Sequence, residues 1–193
     1  MQMMDAIRAR RSIRKFTDEP VPEDDVREIL HAATLAPSGK NRQPWRFVVV
    51  QGEQRDEMVQ VMQAGIEKLK GQGLETGSSE WTAKVMAQAP VTIFIFDPYQ
   101  ANEADWERDF VDFLGDTVDI QSIGAAIQNM LLAAVDKGLG TLWICDVFYA
   151  YPELCNWLDE DHLMVAAVSV GYPDEDPNPR PRKSVDELTR WVD

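Results

Sequence analysis

Five cationic side chains fall within one short stretch near the start of this chain: Arg8, Arg10, Arg11, Arg14 and Lys15. Ser12 stands among them. A guanidinium is a planar fork of donors that can grip two phosphate oxygens at once, and a serine hydroxyl adds a short donor. Arg10-Arg11-Ser12-Ile13-Arg14 therefore has the chemistry to hold a phosphate group. The same cations would also suit the C-terminal end of a helix, where the dipole is negative. Spacing alone leaves both readings open. A second basic spot, Arg180, Arg182 and Lys183, lies in a proline-stiffened arm. It could close over the same anion or remain a solvated tail.

The rest of the chain sharpens that contrast. Its formal net charge is −14. Such a chain repels nucleic acid and anionic membrane surfaces at long range, so no nucleic-acid or membrane partner is expected. Two concentrated basic spots on an acidic background point to a small anionic ligand held locally. The loop Pro37-Ser38-Gly39-Lys40-Asn41-Arg42-Gln43-Pro44-Trp45 is dense in small donors and amides, which suits the edge of a heteroaromatic ring. On composition alone an ordinary helix-to-strand connection is the favoured reading. Gly138-Leu139-Gly140-Thr141-Leu142-Trp143 looks like the start of a dinucleotide fingerprint but lacks the third glycine. Its glycines also end a helix and precede a strand, the reverse of the required order, so a helix stop is the better reading.

No Ser-His-Asp triad, Cys-His pair or metal motif can be assembled. Cys145 lies in an apolar run and is expected to pack there, not to act as a nucleophile. His31 and His162 lack ligand spacing, and no pair of carboxylates stands out from the acidic background. No catalytic side chain and no metal site is therefore expected.

The elements that must position these residues follow from periodicity and punctuation. Helices are expected over 4–11, from Pro22 to before Pro37, over 56–69, 81–87, 117–137 and 152–158. The acidic, aromatic segment 102–114 is read as helical. Strands are expected over 45–51, 91–96, 142–146 and 164–170, the first with a continuous apolar run that implies burial on both faces. The segment 71–79 is glycine- and serine-rich and reads as a mobile lid or connection. The apolar stretch 120–135 is interrupted by Gln121, Ser122, Gln128 and Asn129, so it reads as a buried helix and not a membrane span. Its Gly124, Ala125, Ala126, Ala133 and Ala134 leave room for a second helix to approach. Ser184-Val185-Asp186-Glu187 has the form of a capping box. With 193 residues, a composition ordinary for a globular protein and no linker, one domain of α+β or α/β layers is expected. The first residues carry no apolar signal-peptide core, so a cytoplasmic location is expected.

Taken in order, four segments resemble the FMN-dependent nitroreductase family. Arg10 to Phe16 resembles its N-terminal phosphate-binding motif. Ala36 to Trp45 resembles its loop carrying Pro-Ser and Asn-x-Gln-Pro-Trp. Gly138 to Ile144 resembles its late helix-to-strand segment, and Gly171-Tyr172-Pro173 through Lys183 resembles its C-terminal arm.

The resemblance implies an α+β fold with a mixed central sheet surrounded by helices, in an intertwined homodimer. Residues 1–193 would form a single domain whose arm, about 173–193, packs on the partner subunit. FMN would lie at the interface. Arg10, Ser12 and Arg182 would hold its phosphate, with Arg11 nearby and Arg14 toward the pyrimidine side of the ring. Pro37, Ser38, Gly39 and Asn41 would come from the partner. Backbone around Trp143, Ile144 and Cys145 would face the ring near N5. NADH or NADPH would reduce the flavin and leave, and a small-molecule acceptor such as a nitroaromatic or quinone would take its place in ping-pong order. The same fold also serves dehydrogenation, reductive dehalogenation and flavin fragmentation. A non-catalytic flavin-binding or sensing protein, or an acidic scaffold without cofactor, are the other readings.

Overall fold

The structure is a computed structural model that describes residues 2–101 and 110–192. The chain runs α1 (Met3–Ala9), α2 (Glu23–Thr34), a 3-10 turn (Gly39–Asn41), β1 (Arg46–Gln51), α3 (Gln54–Gly71), α4 (Ser79–Gln88) and β2 (Val91–Ala101). It continues with α5 (Phe110–Asp136), β3 (Gly140–Ile144), a second 3-10 turn (Asp146–Ala150), α6 (Tyr151–Leu158), β4 (His162–Gly171) and α7 (Val185–Leu188).

The four strands form one sheet in the order β1-β2-β4-β3. Every neighbouring pair is antiparallel. The parallel component is an isolated bridge between Ser12 and Thr141. It draws the basic segment alongside β3. The α+β class expected from the sequence is the observed one.

Alternation in the strands splits the interior into two cores. Val91, Ile93, Ile95, Val168 and Val170 point to one side, where α2 supplies Val26, Ile29 and Ala33 and α5 supplies Ile123, Ala126, Ile127 and Met130. Phe94, Phe96, Leu142, Ile144 and Ala167 point to the other, against α3, α4 and α6. The central strands are therefore apolar on both faces. β1 differs from expectation. It is an edge strand, and of its apolar run only Val50 is buried, while Phe47, Val48 and Val49 are half-buried. A register shift between Ile95 and Phe96 brings Met164 to the same side as Phe94.

α5 carries the expected buried face, and α2 is the helix that packs on it. The Asn129 amide donates to the Ala32 carbonyl at 3.2 Å, and Lys137 reaches Asp25 at 2.7 Å. By length and composition alone, the stretch Gly115–Asp136 could cross a membrane. In the fold one of its faces is the floor of the second core. α5 begins at residue 110, so the last part of the expected 102–114 helix belongs to it. Residues 102–109 lie outside the described residues. β3 starts two residues before the expected strand and ends at Ile144, which leaves Cys145 and Asp146 beyond the sheet. β2 runs on past Phe96 to Ala101.

Gly65 marks the closest crossing. A Cβ there would lie 2.5 Å from the Ala150 Cβ and 2.6 Å from its Cα, so α3 meets the second 3-10 turn backbone to side chain. Gly65→Ala is expected to cost about 1–3 kcal/mol by overpacking. Thermal unfolding should show a Tm lower by roughly 2–4 °C per kcal/mol. An unchanged Tm would mean that the contact yields freely.

Candidate functional site

The basic segment leaves α1 at Arg10, whose amide still donates to the Ala6 carbonyl at 2.9 Å. It then runs extended beside β3. The Ile13 amide donates to the Thr141 carbonyl at 2.9 Å, and the buried Ile13 side chain fills the space over Gly140. Phe16 is buried and bridges to Pro173, the Thr17 amide donates to Tyr172, and the Asp174 amide donates to Lys15. These bonds lay the chain after β4 against the basic segment. Residues 177–182 then pass the end of α1. Between them lies a cleft of about 450 Å³, lined by Ser12, Asn178 and six arginines: Arg8, Arg10, Arg11, Arg14, Arg180 and Arg182. Both basic spots of the sequence thus meet at one place.

The arginines are not equivalent. Arg11 turns its Nη1 back onto the carbonyls of Arg8 at 2.7 Å and Arg10 at 2.8 Å, and so caps the C-terminus of α1. It does what a cation at a helix end is expected to do. Arg10 is half-buried. Loss of water, and then the cations of Arg182 and Arg11, hold its guanidinium below its ordinary value. An anion between Arg10 and Arg182 would relieve that repulsion. The Arg182 Nη1 bonds only to arm carbonyls, at 3.2 Å from Arg180 and Pro181 oxygens. The Arg14 amide donates to the Glu175 carboxylate, its Nη1 donates to the Ser12 carbonyl at 3.1 Å, and its guanidinium lies 5.7 Å from the centre of the Trp81 ring. Among the described residues, the side chains of Arg10, Arg14 and Arg182 form no ion pair with a carboxylate.

The end of β3 forms another part of the surroundings. Trp143 is exposed and reaches back over α5, with its Cη2 3.9 Å from where a Cβ on Gly124 would be. Ile144 points into the first core. Cys145 was expected to pack in the strand. It is exposed instead, because the strand stops one residue earlier. Its thiol is pushed above its ordinary value by loss of water and then by the Asp146 carboxylate, which disfavours the thiolate. Asp146 accepts hydrogen bonds from the Ser78 hydroxyl at 2.8 Å and from Thr82, which ties the start of α4 to the end of β3.

Pro37, Ser38, Gly39 and Asn41 do not line the arginine cleft of their own chain. Their loop is seated on α5. The Gly39 amide donates to the Ser122 hydroxyl at 3.4 Å, and a Cβ on Gly39 would strike the Val118 side chain. The Ser38 hydroxyl accepts from the Gln43 amide at 3.0 Å. Lys40, Asn41 and Gln43 all hold positive φ, at 51°, 55° and 53°. Non-glycine residues there are strained by about 1–3 kcal/mol each, and such strain gathers at functional sites. The structure thus unites Arg10, Ser12, Arg14 and Arg182 and leaves this loop apart.

Comparison with known proteins shows which family the chain belongs to. The profile described as the nitroreductase family matches residues 7–172. The chain belongs to the nitroreductase family. It is 32% identical to a chloronitrobenzene nitroreductase of Comamonas testosteroni, over 88% of this chain and 86% of that one. It is 30% identical to an iodotyrosine deiodinase of Thermotoga neapolitana, over 96% of each. Among solved structures, it resembles a protein of Desulfovibrio desulfuricans described as a nitroreductase in complex with FMN. That match has a TM-score of 0.76 and 31% identity, covering 100% of this chain and 98% of that one.

Two polar clusters of this nitroreductase chain were invisible in its sequence. Asp97 and Asp119 are both buried, although no acid pair stood out from the acidic background. Asp97 accepts from the Tyr99 amide and the Gln100 amide nitrogen, each at 2.9 Å. Asp119 pairs with Arg42 at 3.3 Å, and Arg42 also stacks on the Tyr99 ring at 4.4 Å. The strained loop is thereby anchored to α5 by one cation. Glu160 bonds Arg46 at 2.7 Å and His162 at 2.9 Å; with Asp161 it is the only group among the described residues with ligand-like geometry. Its oxygens are already used by Arg46 and His162, so it reads as a clamp between β1 and the start of β4. His162 was read as lacking ligand spacing, and the Arg46 partner is far away in sequence.

Burial, then the neighbouring Asp119 charge, pushes the Asp97 carboxyl above its ordinary value, against the Tyr99 hydrogen bond. A carboxyl raised in the folded state binds its proton more tightly than the unfolded chain does. Stability is then lost as pH rises from the unfolded value through the folded one. Asp97→Asn keeps an acceptor for Tyr99, and Gln100 can rotate to present its carbonyl. This variant is expected to be more stable than the parent at neutral pH, with the gap closing toward acid pH. Urea unfolding at pH 4 and pH 7 measures it, and a variant destabilised equally at both would refute the assignment.

Proposed function

We propose that this chain is an FMN-dependent oxidoreductase that uses NADH or NADPH to reduce a small oxidised acceptor, of the nitroaromatic or quinone class. The observation that carries the reading is the arginine cleft. Among the described residues its Arg10, Arg14 and Arg182 side chains pair with no carboxylate, and Arg10 is half-buried beside the Arg182 cation, which is the donor set a phosphate monoester neutralises. When bound, FMN supplies two-electron transfer between a nicotinamide donor and the acceptor. Arg10, Ser12 and Arg182 hold the phosphate, and Arg14 faces the pyrimidine side of the ring. The backbone of Trp143, Ile144 and Cys145 borders the ring. Donor and acceptor occupy the same face in turn, which gives ping-pong kinetics.

The site is completed by a second copy. Residues 1–193 act as one domain, and the arm from about 173 to 193 packs on the partner. Pro37, Ser38, Gly39 and Asn41 of each chain serve the cleft of the other, which accounts for their distance from their own. The working form is a homodimer in the cytoplasm.

The test is direct. Purified protein reconstituted with FMN should be yellow, with one flavin per chain. Anaerobic NADH or NADPH should bleach it promptly, and addition of a nitroaromatic should restore the colour. A colourless protein overturns the flavin reading; a yellow one that neither donor bleaches leaves a passive flavin binder. The deiodinase relative supports a second reading, reductive removal of halogen from an aromatic acceptor. Release of iodide from iodotyrosine under turnover, without reduction of nitrobenzene, would favour it.

A further inference from the structure

Trp81 is 48% exposed on the first turn of α4. Its neighbours Thr82, Ala83, Val85 and Met86 make the buried face of that helix, and Trp81 stands off it. An indole left outside the core needs another reason to be where it is. Its described contact is the guanidinium of Arg14, 5.7 Å from the ring centre. Arg14 is held at a second point by the Ser12 carbonyl, 3.1 Å from Nη1. The platform beneath Trp81 is fixed as well: Asp146 accepts hydrogen bonds from Ser78 and Thr82, one on each side of Trp81 in the chain. Asp146 itself follows the end of β3, so α4, β3 and the basic segment meet around Arg14.

We infer that Trp81 is the positioning residue for the Arg14 guanidinium and, through it, sets how readily the bound flavin accepts electrons; this rests on the FMN reading above. An arginine side chain has many rotamers, and a cation without a carboxylate partner is drawn out into water. A π face holds a guanidinium without neutralising it. A carboxylate in the same place would also fix the side chain, but it would cancel the positive charge that the site needs. The Glu175 carboxylate is bonded to the Arg14 backbone amide, and among the described residues no carboxylate pairs with the guanidinium; a fixed cation of this kind beside the ring favours the form of the flavin that carries added negative charge. Trp81 therefore leaves the charge of Arg14 in place and removes its freedom.

The experiment uses the reconstituted holoenzyme and reads the two-electron potential of the bound flavin against a reference dye, with FMN occupancy followed by absorbance. Trp81→Ala is expected to disfavour reduction about tenfold, which is a shift of about 30 mV to lower potential for a two-electron couple. Trp81→Phe, which keeps a π face, should stay close to the parent. Adding Trp81→Ala to Arg14→Ala should change the potential no further, because the two residues act as one unit. If Trp81→Ala folds poorly, Trp81→Leu keeps the bulk without the π face and should show the same shift. A yellow Trp81→Ala or Trp81→Leu protein with the parent potential overturns the inference alone. So does an equal further shift in the Arg14→Ala background. A parent protein that takes up no flavin overturns both this inference and the FMN reading.

Discussion

Replacing Arg10 and Arg182 together with alanine is expected to lower FMN affinity at least about 100-fold while leaving the unliganded protein as stable as the parent or more so. Each hydrogen bond from a charged donor to phosphate contributes about 1.5–3 kcal/mol, and every 1.4 kcal/mol is about tenfold in affinity. The opposite sign for stability comes from the free cleft. Burial and the neighbouring cations already hold the Arg10 guanidinium below its ordinary value, so the unliganded fold carries that repulsion. Removing the pair removes the repulsion together with the binding energy. Arg11 supplies the contrast. Its Nη1 caps α1, so Arg11→Ala should cost about 0.3–1 kcal/mol of stability and change FMN affinity little. Titration of the unliganded protein with FMN and its thermal unfolding separate the two effects. Unchanged affinity in the double variant would remove the phosphate assignment.

That contrast also shows what the sequence could express. The spacing Arg10-Arg11-Ser12-Ile13-Arg14 suited both a phosphate clamp and a helix end, and the fold shows both: all three arginines line the cleft, and Arg11 also turns its Nη1 onto the helix-end carbonyls. Nothing local distinguishes neighbouring arginines, because the difference arises where α1 stops. Elements with strong local signals were legible. The capping box at Ser184 forms as its residues imply, with Ser184 and Glu187 bonded reciprocally. Gly138, at a φ of 74°, follows the end of α5, whereas Gly140 is the first residue of β3. Burial was less legible. Phe47-Val48-Val49-Val50 has the composition of a central strand, but β1 lies at an edge, and strand order depends on pairings far apart in sequence. Cys145 was misplaced for a similar reason, since an apolar run does not mark the residue at which pairing ends. Long-range polar partners, such as Arg42 with Asp119 and Arg46 with Glu160, leave no periodic trace at all.

The second large effect concerns the arm. Its capped helix α7 and the residues after it present Val185, Leu188, Trp191 and Val192 to solvent, with Trp191 78% exposed. A single helical turn has too few hydrogen bonds to persist alone in water. Fully burying an apolar side chain of this size contributes about 1.5–3 kcal/mol. Four of them are comparable to the estimated 4–15 kcal/mol that association costs. Leu188→Asp with Trp191→Asp should therefore convert a dimer into a monomer at micromolar concentration, as read by sedimentation. This variant keeps Arg182 in the cleft, which deletion of the arm would not. On the proposed dimer, any fall in its FMN affinity would report the loss of the partner's strained loop carrying Pro37, Ser38, Gly39 and Asn41. A variant that stays dimeric would show that the arm is not the fastener. A monomer that binds FMN as tightly as the parent would show that the cleft is complete within one chain and that the loop serves another purpose.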